Sequence, residues 1–235
     1  MWLISDLKES GKQAMKANYW RSVGAGLLLT IATGGSIART GSSSLDHFQD
    51  TQQSMESIPQ SDMIMIVIAV LIAVAFVFVV TSFLKILLLN PLQVGCRRFF
   101  HENLKAPASI NEVLYGYQNG FGRNLLTMLI TDLFIFLWGL LFIIPGIIKA
   151  YSYRMVPYIL TEEPDLAPME VLSRSRQMME GQKLNAVVLD LSFIGWYLLS
   201  GITLGLGGIF YVFPYKASTD AALYDAIRAE QGYTY

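Results

Sequence analysis

The stretch LLFIIPGIIKAYSYRMVPYIL (residues 140–160) decides how many helices the second half of the chain forms. It is mostly apolar, yet it contains Pro145-Gly146, two cationic residues (Lys149 and Arg154) and a second proline, Pro157. Two structures are consistent with these residues. Residues 125–160 form one proline-kinked helix, or a turn at Ile144-Pro145-Gly146 joins two helices. The remainder of the chain helps to choose between them.

The composition is that of an integral membrane protein. Hydrophobic residues make up 53% of the 235 residues and charged residues only 15%, well below the usual share in soluble domains. The run Met63–Leu89 contains a single charged residue. About 20 such residues span a bilayer. The net charge of −1 gives no reason to expect nucleic acid as a partner.

Three segments begin and end alike, which indicates an internal repeat. In each, a polar helical stretch reaches an asparagine or glycine, a basic residue follows within three positions, and an apolar region then runs to a proline. These landmarks are Asn18, Arg21 and Pro91; Gly120, Arg123 and Pro157; and Gly181, Lys183 and Pro214. The repeat units cover about 4–91, 109–157 and 167–214. By this repeat, Ile144-Pro145-Gly146 is a turn, and the kinked helix is the less favoured alternative.

The repeat predicts an all-α membrane protein with six transmembrane helices, arranged as three pseudo-repeated hairpins in a single integral membrane domain, residues 1–235. The predicted spans are 22–38, 63–89, 124–143, 147–161, 184–200 and 203–215. Amphipathic interfacial helices precede each hairpin on the cytoplasmic side, and an extracytoplasmic loop covers 39–62. A cleaved signal peptide ending near residue 38 is a less favoured alternative for the first span.

The distribution of basic residues predicts the orientation. Thirteen of the 17 Lys and Arg residues fall in segments assigned to one side, whereas the loop 39–62 on the other side contains only Arg39. Because basic residues mark the cytoplasmic side, both termini are expected there. Basic residues near the membrane surface are candidates for binding lipid headgroups, or they serve only to set this topology. The headgroup candidates are Arg21, Arg97, Arg98, Arg123 and Lys183.

Five charged residues fall inside the predicted spans, where ionisable groups are costly unless they are paired or hydrated. They are Lys85, Asp132, Lys149, Arg154 and Asp190. We expect Asp132, Asp190 and Arg154 to lie at related depths. One interpretation is a structural ion-pair cluster that orders the hairpins. The alternative is a polar path for a proton, an ion or a small charged solute.

Nothing in the sequence predicts a catalytic or cofactor site. The sequence contains no H-E-x-x-H motif, no G-x-S-x-G motif, no phosphate-binding glycine loop and no Cys/His pair. The single cysteine, Cys96, has no partner for an internal disulfide. His47 and His101 lack metal-ligand spacing and are interpreted as surface or interfacial residues rather than ligands. No metal, cofactor or catalytic residue is therefore expected, and an enzyme is the least favoured class.

Several motifs together resemble a known family over nearly the whole chain. They include ANYWR (17–21), NPLQVGCRRFF (90–100), the stretch 140–160, and SRQMMEGQK (175–183). The chain resembles the bacterial integral membrane proteins grouped as domain of unknown function 975. Its IIPGI segment is also similar to the membrane domain of some glycerophosphodiester phosphodiesterases. The resemblance implies a multi-pass protein of the bacterial cytoplasmic membrane and implies no activity.

Two functional hypotheses follow. The leading one is a non-enzymatic accessory, scaffold or envelope-homeostasis factor with membrane lipids as partners and no identified protein partner. The alternative is a small ion or solute transporter that uses the charges of spans three to five. A wet cavity that reaches those charges favours transport, whereas a dry, fully paired cluster favours the scaffold.

Overall fold

The computed structural model describes residues 2–32 and 60–232, and this part of the chain is helical and contains no strand. The prediction of an all-α protein is therefore confirmed. Three helical segments are long and apolar enough to cross a membrane: Met63–Lys105, Phe121–Leu141 and Lys183–Ile202. Most of the predicted loop 39–62, together with His47, lies outside the described residues.

The helices are short and numerous. In chain order they are α1 (Ile4–Ala17), α2 (Tyr19–Ala32), α3 (Gln60–Leu84), α4 (Asn90–Lys105), α5 (Tyr115–Gln118), α6 (Phe121–Leu141), α7 (Ile143–Ser152), α8 (Val156–Glu162), α9 (Pro168–Met178), α10 (Lys183–Leu191), α11 (Ile194–Ile202) and α12 (Phe213–Glu230). Two π-helices, Lys85–Leu89 and Gly208–Val212, and a 3₁₀ helix, Ile110–Leu114, complete the set within the described ranges.

The chain divides into two compact units. One consists of Ala38–Lys85 and contains α3, whose one charged residue is Asp62; Lys85 follows the helix directly. The other unit consists of Met1–Ile37 and Ile86–Tyr235. Within it, α4 packs against α1, α2, α6, α8 and α12, and α1 runs along α12. The helix α4 is thus the centre of this unit.

The stretch 140–160 contains the end of α6, all of α7 and the start of α8, so it is neither part of one kinked helix nor the predicted continuous span 147–161, which a turn at 153–155 interrupts. The chain leaves α6 at Phe142, which is extended (φ −155°, ψ 140°), and α7 begins at Ile143. Pro145 lies in the first turn of α7, where its missing N–H costs no hydrogen bond. A Cβ on Gly146 would lie 2.6 Å from the Cα of Gly139, so α6 and α7 cross closely here. The predicted position of the turn, at Ile144–Gly146, is therefore wrong, because Pro145 starts a helix instead of ending one.

The landmarks of the three repeated segments occupy similar local structures. Pro91, Pro157 and Pro214 are each the second residue of a helix, namely α4, α8 and α12. A π-helix precedes Pro91 and Pro214, and a turn at 153–155 precedes Pro157. Gly120 and Gly181 have φ angles of +63° and +75°, which favour glycine. Each of these two glycines comes just before an apolar helix.

Candidate functional site

A network of charged side chains lies where the helices that begin at the three prolines meet. Its centre is Arg154, in the turn before α8. Both guanidinium Nη atoms donate to Asp190 at 2.9 Å, and Nη2 also donates to Asp220 Oδ1 at 2.6 Å. The side chain of Arg154 is only 14% exposed. The arginine therefore joins α10 to α12 through two carboxylates.

Two more cations complete this network. Arg97 Nη1 in α4 lies 3.0 Å from Asp220 Oδ2, and Lys216 Nζ lies 3.0 Å from Asp190 Oδ1. Lys216 also contacts Asp220 one helical turn further along α12. We call Arg97, Arg154, Asp190, Lys216 and Asp220 the charge network. It has three cations and two carboxylates, so its net charge is +1 when all five groups are ionised.

Tyrosine hydroxyls supply further hydrogen bonds to the charge network. Tyr151 donates to Asp190 Oδ2 at 2.8 Å, and Arg97 Nη1 donates to the hydroxyl of Tyr158 at 3.3 Å. Tyr158 is fully buried and stacks on Tyr224 with ring centroids 4.9 Å apart. This aromatic pair holds α8 against α12 and thereby fixes the positions from which Arg154 and Asp220 meet.

The electrostatics around Asp220 favour its ionised form. Burial alone would raise the pKa of this carboxyl, but the neighbouring charges of Arg154, Lys216 and Arg97 and the hydrogen bond from Lys216 hold the pKa well below its usual range. Burial lowers the pKa of Lys216, and Asp220 partly opposes that shift. The carboxylate of Asp220 is therefore the anion on which all three cations converge.

A cavity of about 510 Å³ borders the charge network. All five network residues line it, together with residues of α2, Tyr197 of α11 and Phe213 and Ala217 of α12. The residues of α2 are Gly26, Leu29 and Thr30. The cavity therefore has a charged wall and a largely apolar wall. Asp190 is the most exposed network residue, at 31% for its side chain.

The structure places the other predicted intramembrane charges elsewhere. Asp132 accepts a hydrogen bond from Asn90 Nδ2 at 3.2 Å, while Arg154 uses Asp190 and Asp220 as its carboxylate partners. Lys149 lies 4.9 Å from the centre of the Trp138 ring. Lys85 belongs to the unit that contains α3. Of the five predicted charges, the structure thus brings Arg154 and Asp190 into direct contact.

Several predicted headgroup candidates contact protein groups. Arg98 Nε lies 2.7 Å from Glu112 Oε2. Arg123 donates to the carbonyl oxygens of Leu160 and Glu163 at 2.7 and 2.9 Å. The other three differ in position: Arg21 donates to the Ala108 carbonyl at 3.4 Å, Arg97 belongs to the charge network, and Lys183 is the first residue of α10.

Sequence reasoning missed Lys216 and Asp220 as site residues. The sequence placed Lys216 in a cytoplasmic tail that followed the last span. One signal was available, because a lysine and an aspartate four residues apart share a helix face directly after Pro214. That signal is weak, since the same spacing is common on solvated helices.

His101 is buried, so its interpretation as a surface or interfacial residue is wrong. Its Nε2 lies 2.7 Å from Asp225 Oδ1, and its Nδ1 lies 3.3 Å from Glu162 Oε1. His101, Glu102 and Glu162 have side chains of metal-ligand type close together. Arg228 and Lys105 also contact Glu162, so protein cations already lie beside this carboxylate. We therefore interpret His101, Glu162 and Asp225 as a structural polar contact that holds α4 against α8 and α12.

Comparison with known proteins supports the resemblance seen in the motifs. Residues 140–231 match the family model described as "Protein of unknown function (DUF975)". The matched region contains four of the five residues of the charge network: Arg154, Asp190, Lys216 and Asp220. No curated protein and no solved structure matches the chain.

Proposed function

We propose that this chain, a member of the DUF975 family by its residues 140–231, is a non-enzymatic multi-pass protein of the bacterial cytoplasmic membrane. In this proposal it is a single integral membrane domain with six spans in three hairpins and both termini in the cytoplasm. The three long apolar helices support a membrane location. The equivalent placing of Pro91, Pro157 and Pro214 supports the repeat.

The topology is tested by single cysteines placed at Ser43 and Ser109 in a Cys96→Ser background. We expect a membrane-impermeant thiol reagent to label the first from outside intact cells. The second should be labelled only in inverted vesicles, because the basic residues gather on its side. The unsubstituted Cys96→Ser protein is the control for background labelling. Labelling of both positions from one side would rule out the six-span arrangement.

The observation that carries the functional proposal is the pairing within the charge network. Every cation in it contacts at least one carboxylate, and together they connect α4, the turn before α8, α10 and α12. Such pairing suits a rigid accessory or scaffold protein, or an envelope-homeostasis factor, whose hairpins must keep one arrangement. In some proteins a buried polar network selects one arrangement of the helices. Substitutions in the charge network test whether it has the same role here.

A small transporter is the second candidate, and the cavity favours it. The cavity reaches Arg154 and Asp190, two of the residues expected on a polar path. In this alternative Asp190, the most exposed of the network carboxylates, would exchange protons or ions with a transported solute.

Asp190→Asn separates the two candidates. For a scaffold, we expect the variant to lose about 1–2 kcal/mol of stability, because Arg154 and Lys216 lose a charged partner. The parent should then conduct no proton or ion flux in liposomes. Asp165→Asn, at an exposed position, is the matched control and should leave stability unchanged. If the unsubstituted protein conducts protons or ions, and Asp190→Asn abolishes that flux without lowering stability, the scaffold hypothesis is wrong and the transporter hypothesis is supported.

A further inference from the structure

The side chains that line the cavity beside the charge network have a net positive charge. The residues that line it include three cations and two carboxylates, and within the described chain its lining contains no third acidic side chain. A surplus positive charge is costly where the surroundings are apolar. We propose that the cavity binds a phosphodiester anion, carried by the headgroup of a singly negative phospholipid such as phosphatidylglycerol.

Charge balance favours a single negative charge in the ligand. With the network at +1, one phosphodiester group brings the total to zero. A zwitterionic headgroup, such as that of phosphatidylcholine, would leave the total charge at +1. A doubly charged anion would make it −1. The ligand class is therefore narrower than phosphate in general.

The donors in the cavity suit a phosphate oxygen. Arg97 makes both of its hydrogen bonds from Nη1, which leaves Nη2 without a hydrogen-bond partner among the described residues. Its side chain is 17% exposed, slightly more than those of Arg154 and Lys216. Because guanidinium groups bind phosphate through forked N–H donors, Arg97 is the residue most able to add a bond without giving up Asp220.

The opposite wall of the cavity suits the rest of a lipid. Leu29 and Thr30 lie on α2, and Tyr197 lies on α11, within two of the predicted spans. A volume of about 510 Å³ is in the range of ordinary ligand pockets. It accommodates a headgroup and the first part of its acyl chains, and the remaining chains would lie among membrane lipids.

Arg97→Gln tests this assignment, with the adjacent Arg98→Gln as the matched control. Both variants remove one positive charge from α4, but Arg98 pairs with Glu112 and does not line the cavity. We expect phosphatidylglycerol retained by the purified full-length protein, measured by native mass spectrometry, to bind about tenfold more weakly in Arg97→Gln only. Arg97→Lys, which keeps the charge, should retain more lipid than Arg97→Gln.

A steric variant keeps the test valid if Arg97→Gln does not fold. Thr30→Trp fills the cavity from α2 without changing any charge, and it should also reduce phosphatidylglycerol binding. Phosphatidylcholine and inorganic phosphate are the comparison probes. If inorganic phosphate bound the cavity as tightly as phosphatidylglycerol and displaced it, the site would be assigned to a free anion instead of a lipid. Equal binding in Arg97→Gln, Arg98→Gln and Thr30→Trp, or no bound phosphatidylglycerol in the parent, would overturn the proposal.

This inference rests on the proposed membrane location but not on the choice between scaffold and transporter. Loss of flux or of stability in Asp190→Asn concerns that choice. Lipid binding by the Arg97 and Thr30 variants tests the lipid site alone. The lipid proposal can therefore be wrong while the proposed function holds, and the reverse.

Discussion

Asp220→Asn is expected to lower the free energy of unfolding by about 3–5 kcal/mol, because it removes the carboxylate shared by three buried cations. Arg97, Arg154 and Lys216 all contact this carboxylate, whose side chain is only 8% exposed. Asparagine keeps the size and one acceptor oxygen but removes the charge. The remaining network would have three cations and the single carboxylate of Asp190. Unfolding of the purified protein by SDS or by heat in a mild detergent measures the loss.

A second substitution distinguishes charge imbalance from a simple packing defect. Lys216→Met in the Asp220→Asn background removes one surplus cation and keeps most of the side-chain volume. We expect it to recover part of the lost stability, since removal of both members of a buried pair costs less than removal of one. Asp165→Asn, at an exposed position, should have little effect. A double variant less stable than Asp220→Asn alone would contradict the charge explanation.

Gly95→Ala and Gly116→Ala should each destabilise the protein by about 3 kcal/mol, at the upper end of the cost of overpacking. An added Cβ on Gly95 would overlap the carbonyl of Val113, and one on Gly116 would overlap the carbonyl of Pro91. The obstacle in both cases is backbone, which cannot change rotamer. The two glycines therefore allow α4 to lie directly against the 3₁₀ helix and α5. Thermal unfolding in detergent is the appropriate measurement.

Gly122→Ala is the control for this pair. A Cβ on Gly122 meets nothing within 4 Å, and the residue lies near the start of α6. Its replacement should change the stability by less than about 1 kcal/mol, in the direction of the higher helix propensity of alanine. If Gly95→Ala were as stable as Gly122→Ala, the close approach of α4 to its neighbours would be disproved.

Local pattern accounts for the features that sequence reasoning found. Apolar runs such as Met63–Leu89 and the low charged fraction predict helices that can span a membrane, because both are properties of consecutive residues. The existence of a break between α6 and the helix that follows it also agreed with a local pattern repeated along the chain. The position of the turn did not, because proline is compatible with both the end and the first turn of a helix.

The partners of the buried charges depend on contacts that no local pattern encodes. Arg154 meets Asp190 and Asp220 across 36 and 66 residues, and Arg97 meets Asp220 across 123. Depth along the predicted spans gave Asp132, Arg154 and Asp190 related positions, but depth does not say which helix faces which. For the same reason, the burial of His101 between two carboxylates could not be read from its neighbours in sequence.

The sequence by itself determined that this protein is helical and that parts of it can enter a membrane, and it predicted that charges within its apolar segments, Arg154 and Asp190 among them, need partners. These conclusions need only hydropathy and the cost of an ionised group in apolar surroundings. Only the tertiary structure decided that Lys216 and Asp220 belong with them and that a cavity lies beside the group. The packing of α12 against α1 and α4 brings these residues to the others, and packing between distant segments depends on the fit of whole helix surfaces.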